Sequence, residues 1–173
     1  MKRRSMLSLA AAGLIGLCAT AIAAAQEKQT VSFEVPAQNA KYTQQLFIDV
    51  GDVPGHQVRV FEVHFIPSNP PVINGAKLAE FSIRATSDYT DGNGPAAGYV
   101  VYVLESGDKF FARQNSVARN SGSGKSNGTL VGSITGGTGK FAGIRGVVRQ
   151  VVTIDPKAGF NQSQWDIEYW MEK

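Results

Sequence analysis

The chain has 173 residues, a formal net charge of +3, 43% hydrophobic residues and a single cysteine. Lys2, Arg3 and Arg4 precede an apolar stretch from Met6 to Ile22, and Ala23, Ala24 and Ala25 follow; this is the layout of a secretory signal peptide, with cleavage expected between Ala25 and Gln26. Loss of that leader takes the charge from +3 to zero and removes Cys18, which excludes disulfides, a thiol nucleophile and thiolate metal ligation, and leaves no basic excess for nucleic acid.

Nothing after Ala25 approaches the roughly 20 uninterrupted apolar residues of a membrane span. Leu17 stands before Cys18 where lipidation signals carry a small residue, so the expectation is a secreted or periplasmic protein with no membrane anchor. Residues 26–173 read as one domain, long enough to fold on packing alone.

In chain order, runs of Val, Ile, Phe, Tyr and Thr predict strands at 29–35, 44–50, 57–66, 76–86, 97–106, 109–117, 128–135, 144–154 and 163–171. Clusters of Gly, Asn, Asp, Ser and Pro separate them, and no segment keeps a helical period. In the last run Trp165, Ile167, Tyr169 and Met171 share one face, with Gln164, Asp166 and Glu168 on the other. The run 97–106 is apolar on both faces: Tyr99, Val101 and Val103 on one, Val100, Tyr102 and Leu104 on the other. Tight turns are expected at Ser106-Gly107-Asp108 and at 155–159, and a loop at 120–127. The fold class this predicts is all-β, a single closed antiparallel barrel of about eight strands, with a two-sheet sandwich as the alternative. Apolar residues left outside a barrel would suit a subunit interface.

The segment NGTLVGSITGGTGKFAGIRG, residues 127–146, is the most distinctive. It is not a P-loop, because Phe141 follows Lys140 where a magnesium-binding hydroxyl belongs. It is not a dinucleotide fingerprint either, because Val147, Val148, Val151 and Val152 continue as strand rather than helix. Its glycines read as mechanical, allowing close backbone approach and a bulge at a sheet corner.

The string GGTGKFAGIRG, with the aromatic closing run SQWDIEYWMEK, resembles the allene oxide cyclase and dirigent barrels. The resemblance is specific over about 127–171 and loose over about 57–126. It implies an eight-stranded antiparallel barrel, commonly a homotrimer, with a largely apolar cavity and no cofactor. Relatives of that kind cyclise a reactive fatty-acid epoxide or steer the coupling of phenoxy radicals. The cavity cysteine of the plant-type cyclases has no counterpart after Ala25. Arg145, just before the last glycine of the motif, is the one residue carried over, as a ligand-binding candidate.

Glu62 and His64, two apart in RVFEVHFI, share a strand face, so a carboxylate can orient an imidazole; they are the acid–base candidates, provided that they point inward. Glu80 and Arg84 also share a face. Arg84, Tyr99 and Tyr102 are the further ligand-binding candidates, the tyrosines offering a flat apolar surface with a polar tip. His56, in a Pro-Gly-His turn, reads as solvated. Two histidines without cysteines predict no metal site. Two functions stay open: a cofactor-free cyclase or isomerase acting on a small hydrophobic substrate, and a non-catalytic carrier for a small apolar ligand.

Overall fold

The computed structural model describes residues 27–122, 125–155 and 160–172. The expected leader, its cleavage site, Cys18 and the centre of the turn at 155–159 lie outside the described residues. Among the described residues there are ten strands: β1 (Gln29–Val35), β2 (Ala40–Asp49), β3 (His56–Phe65), β4 (Val72–Ile73), β5 (Ala76–Thr90), β6 (Gly94–Leu104), β7 (Lys109–Asn120), β8 (Ser126–Gly137), β9 (Ile144–Asp155) and β10 (Phe160–Met171). All nine expected runs fall on these strands. The short β4 was missed because two residues carry no alternation to read.

The strands form one antiparallel sheet in the order β1-β10-β9-β8-β7-β6-β5-β3-β2, with β4 added on β5. The expected closure is not made by hydrogen bonds. The two ends of the path, β1 and β2, are consecutive in the chain through Pro36 and a 3-10 turn at Ala37–Asn39, but they do not pair with each other. The sheet is nevertheless rolled on itself, because Phe33 of β1 reaches Phe81 of β5, far along the path, at 5.9 Å between ring centroids. A side-chain contact spans the seam: the Tyr42 hydroxyl of β2 lies 3.4 Å from Asn161 Oδ1 of β10.

Strict alternation explains the inner face. On β3 the inward set is Arg59, Phe61, Val63 and Phe65, and on β10 it is Asn161, Ser163, Trp165, Ile167 and Tyr169. Phe65, Phe81, Tyr102 and Phe110 are direct cross-strand partners along β3, β5, β6 and β7. They stack in sequence at centroid separations of 4.7, 5.3 and 4.2 Å. Trp165 meets Phe81 edge-on at 4.9 Å. Each such pair contributes about 0.5–1.5 kcal/mol beyond the area it buries, so this half of the interior is a filled core.

The glycine segment closes that end. The β7–β8 register slips near Phe111/Ala112, opposite Gly136, and a 3-10 turn at Gly139–Phe141 drops the fully buried Phe141 onto Phe110, 5.8 Å away. A Cβ on Gly139 would lie 2.0 Å from the Asp108 carboxylate, and one on Gly146 would lie 2.0 Å from the Glu168 carbonyl of the paired strand. The mechanical reading of these glycines therefore has its cause in close approach, of a side-chain carboxylate at Gly139 and of backbone at Gly146.

The opposite end is framed by the β2–β3 hairpin. Its His56 was expected to be solvated, yet it is clamped between Asp52 Oδ1 at Nδ1 (2.6 Å) and Asp88 Oδ1 of β5 at Nε2 (2.7 Å). The Asp88 and Asp52 carboxylates hold the imidazole above its ordinary value of 6.5. Hydrogen bonding to His56 likewise holds Asp52 below 3.8.

Two outcomes follow from these contacts. Gly146→Ala should cost on the order of 1–3 kcal/mol through backbone separation alone, read as a lower denaturation midpoint; an unchanged midpoint would remove the mechanical account. For His56 a raised imidazole stabilises below its unfolded value and loses that contribution as pH rises through the folded one, while the lowered Asp52 loses its contribution as pH falls. The stability gap between the wild type and His56→Gln should thus be widest between 3.8 and 6.5 and shrink towards alkaline pH. A gap that widens above pH 8 would contradict the clamp.

Candidate functional site

The sequence candidates do not meet inside the sheet. Glu62 and His64 lie on the outer face, because the inward positions of β3 are taken by Phe61, Val63 and Phe65. Glu62 pairs with Arg84 Nε and accepts the Thr43 hydroxyl at 2.6 Å. That hydroxyl first, and the Arg84 charge after it, hold the Glu62 carboxyl below the usual range. His64 Nε2 is 3.0 Å from Glu80 Oε2 rather than partnered with Glu62. The acid–base reading requires both groups to face the lumen, and both face outward.

Arg84 and Tyr99 are cross-strand partners on that outer face, where with Glu62 they line an open groove of about 690 Å³. Tyr102 belongs to the aromatic row: it is fully buried, and its hydroxyl has no hydrogen-bond partner. Arg145 lies at the start of β9, donates to the Ile144 carbonyl at 2.8 Å and pairs with Glu172 at 2.9 Å. It is a strand-end tether and contacts none of the other candidates. Among the described residues no three His, Cys, Asp or Glu side chains gather as a metal site would require.

The polar groups that do converge are ones the sequence reading passed over. Toward the β2–β3 hairpin the inward positions become small: Ala85, Ala96, Gly98, Gly128 and Gly132. A cavity of about 50 Å³ opens at this end among Tyr42, Arg59, Tyr89, Gln114, Gln150 and Asn161. Arg59 is its charged group and is only 5% exposed. Its guanidinium carbon lies 4.3 Å from the Phe61 ring centroid, 5.2 Å from Tyr42, 5.5 Å from Phe47 and 6.0 Å from Tyr89.

One guanidinium nitrogen donates to Gln45 Oε1 at 3.3 Å, while Arg59 Nε is buried with no acceptor. Asn161 Nδ2, Gln114 Oε1 and the hydroxyl of Ser87, the cross-strand partner of Arg59, are likewise buried without partners. The carboxylate that shares this face, Asp49, sits at the exposed rim and accepts the Gln57 amide at 2.7 Å. Burial holds the Tyr89 phenol above its ordinary value, against the pull of the Arg59 charge, so the phenol stays neutral through neutral pH. The result is one buried cation in an aromatic and amide lining, with no ion pair of its own among the described residues.

A buried hydroxyl without a partner costs about 1–3 kcal/mol. Tyr102→Phe, which keeps the stacked ring, should therefore raise the denaturation free energy by about 1 kcal/mol. A loss of stability would show that the hydroxyl has a role in the core.

Comparison with family models and with curated proteins gives no match. Among solved structures the chain is similar to a pterocarpan synthase dirigent protein, at 14% identity and a TM-score of 0.48, covering 86% of this chain and 90% of that one. It is also similar to a pyocyanin demethylase, at 16% identity and a TM-score of 0.41, covering 80% and 99% respectively. At such identities no residue role passes from either protein to this one.

Proposed function

We propose that this protein is a small-molecule binding module whose ligand enters the hairpin end of the rolled sheet and is held there by Arg59. The observation that carries the reading is the buried guanidinium without an ion pair, since a desolvated cation costs several kcal/mol unless something compensates it. The reading takes the sheet as a barrel whose seam is bridged by side chains, Tyr42 on Asn161, rather than by a backbone ladder. Carriage is favoured over cyclisation because, among the described residues, Arg59 is the one charged group lining the cavity, with no carboxylate or imidazole beside it to exchange a proton.

Export and self-association belong to the same proposal. On the outer face Leu46, Ile48, Val60, Val117, Val131 and Val151 are all more than 45% exposed. Leu46 pairs directly with Val60, which supports a contact with further copies of the chain. Native mass spectrometry of the exported protein examines the whole proposal at once. The expected result is a polypeptide beginning at Gln26, an oligomer, and a small molecule retained by the wild type but released in Arg59→Gln. A ligand retained equally by Arg59→Gln, or lost only on substitution of Tyr99 or Arg84, would move the site out of the lumen.

A further inference from the structure

We infer that the polar end of the lumen is an oxyanion site that takes the carboxylate head of a small organic acid; the inference rests on the lumen being the ligand compartment. The rings around Arg59 supply π density but no lone pair, so Nε keeps an unmet demand for an acceptor. Asn161 adds a second donor. Its Oδ1 is engaged by the Tyr42 hydroxyl, which leaves Nδ2 buried and unbonded. Tyr42 neighbours both groups, through its ring to Arg59 and through its hydroxyl to Asn161, and both residues line the same cavity.

Three features narrow the class of acceptor. The cavity of about 50 Å³ admits a head group of a few atoms, whereas whole drug-sized ligands occupy about 300–1,000 Å³. The remainder of the ligand must therefore lie outside the cavity, toward Phe47, which is 48% exposed with its ring 5.5 Å from the Arg59 guanidinium carbon. One guanidinium compensates one negative charge, and Asp49 at the rim opposes a second, which favours a monoanion over a phosphate dianion. A guanidinium fork also matches the planar pair of oxygens in a carboxylate. Gln114 Oε1 and Ser87 Oγ, unpaired beside this position, leave room for a water that accompanies the head group.

The test is a calorimetric titration of the exported protein with hexanoate, 1-hexanol and inorganic phosphate. Hexanoate should bind about 10- to 100-fold more tightly than 1-hexanol, the range expected of a charged hydrogen bond, and phosphate should not compete. Arg59→Met should erase the preference while 1-hexanol still binds. Asn161→Asp, which supplies an internal carboxylate, should abolish hexanoate binding and raise the melting temperature, so that a folding defect in one variant leaves the other to decide. Equal binding of hexanoate and 1-hexanol, unchanged in Arg59→Met, would overturn the carboxylate assignment and keep the compartment. Displacement of hexanoate by phosphate would also overturn it. Binding of neither organic probe, with Arg59→Met more stable than the wild type, would overturn both readings and leave Arg59 a structural residue.

Discussion

Stacking of Phe65, Phe81, Tyr102 and Phe110 across four adjacent strands sets the terms for the rest of the molecule. Rings at those positions fill the lumen from wall to wall, with Trp165 and Phe141 sealing what remains. A sheet rolled around such a plug cannot collapse at the other end, because its radius is already fixed. Where Arg59, Gln114, Gln150 and Asn161 replace rings on the inner face, a small cavity persists, and polar groups sit there without being crushed into the core. The filled half supplies the stability that the polar half costs.

The same partition explains how the two ends are held. At the filled end, backbone contacts too close for a Cβ, at Gly143 and Gly146, lock the strand corners. At the cavity end the β2–β3 hairpin is secured electrostatically, through His56 to Asp88 on β5. Exposed pairs of this kind are weak individually and sensitive to pH and salt. The hairpin at the rim of the cavity is thus responsive to pH and salt, as access to a ligand compartment requires.

Much of the fold was legible in the sequence, since strand periodicity and turn residues are local signals. Closure was not, because the pairing or separation of β1 and β2 depends on contacts between distant segments. For the site the lesson lies in RVFEVHFI. Glu62 and His64 were correctly placed on one strand face, but alternation offers two faces and does not name the inner one; here Phe61, Val63 and Phe65 claimed it. Arg59 has the same parity as those three residues, so its inward position was legible from its neighbours although it was not singled out. Gln114 and Gln150 share the parity of Ala112 and Val148 in the same way. Tyr102 was correctly assigned opposite Tyr99, yet only the row of rings around it shows that its face holds core rather than ligand.

The central claim is that binding happens at the inner arginine and not in the outer groove that the sequence candidates line. The side-chain Nε–Hε resonances of Arg59 and Arg84 report the two places separately. On addition of hexanoate the Arg59 signal should move and the Arg84 signal, held by Glu62 on the outer face, should stay. Movement of Arg84 with Arg59 unchanged would contradict the account.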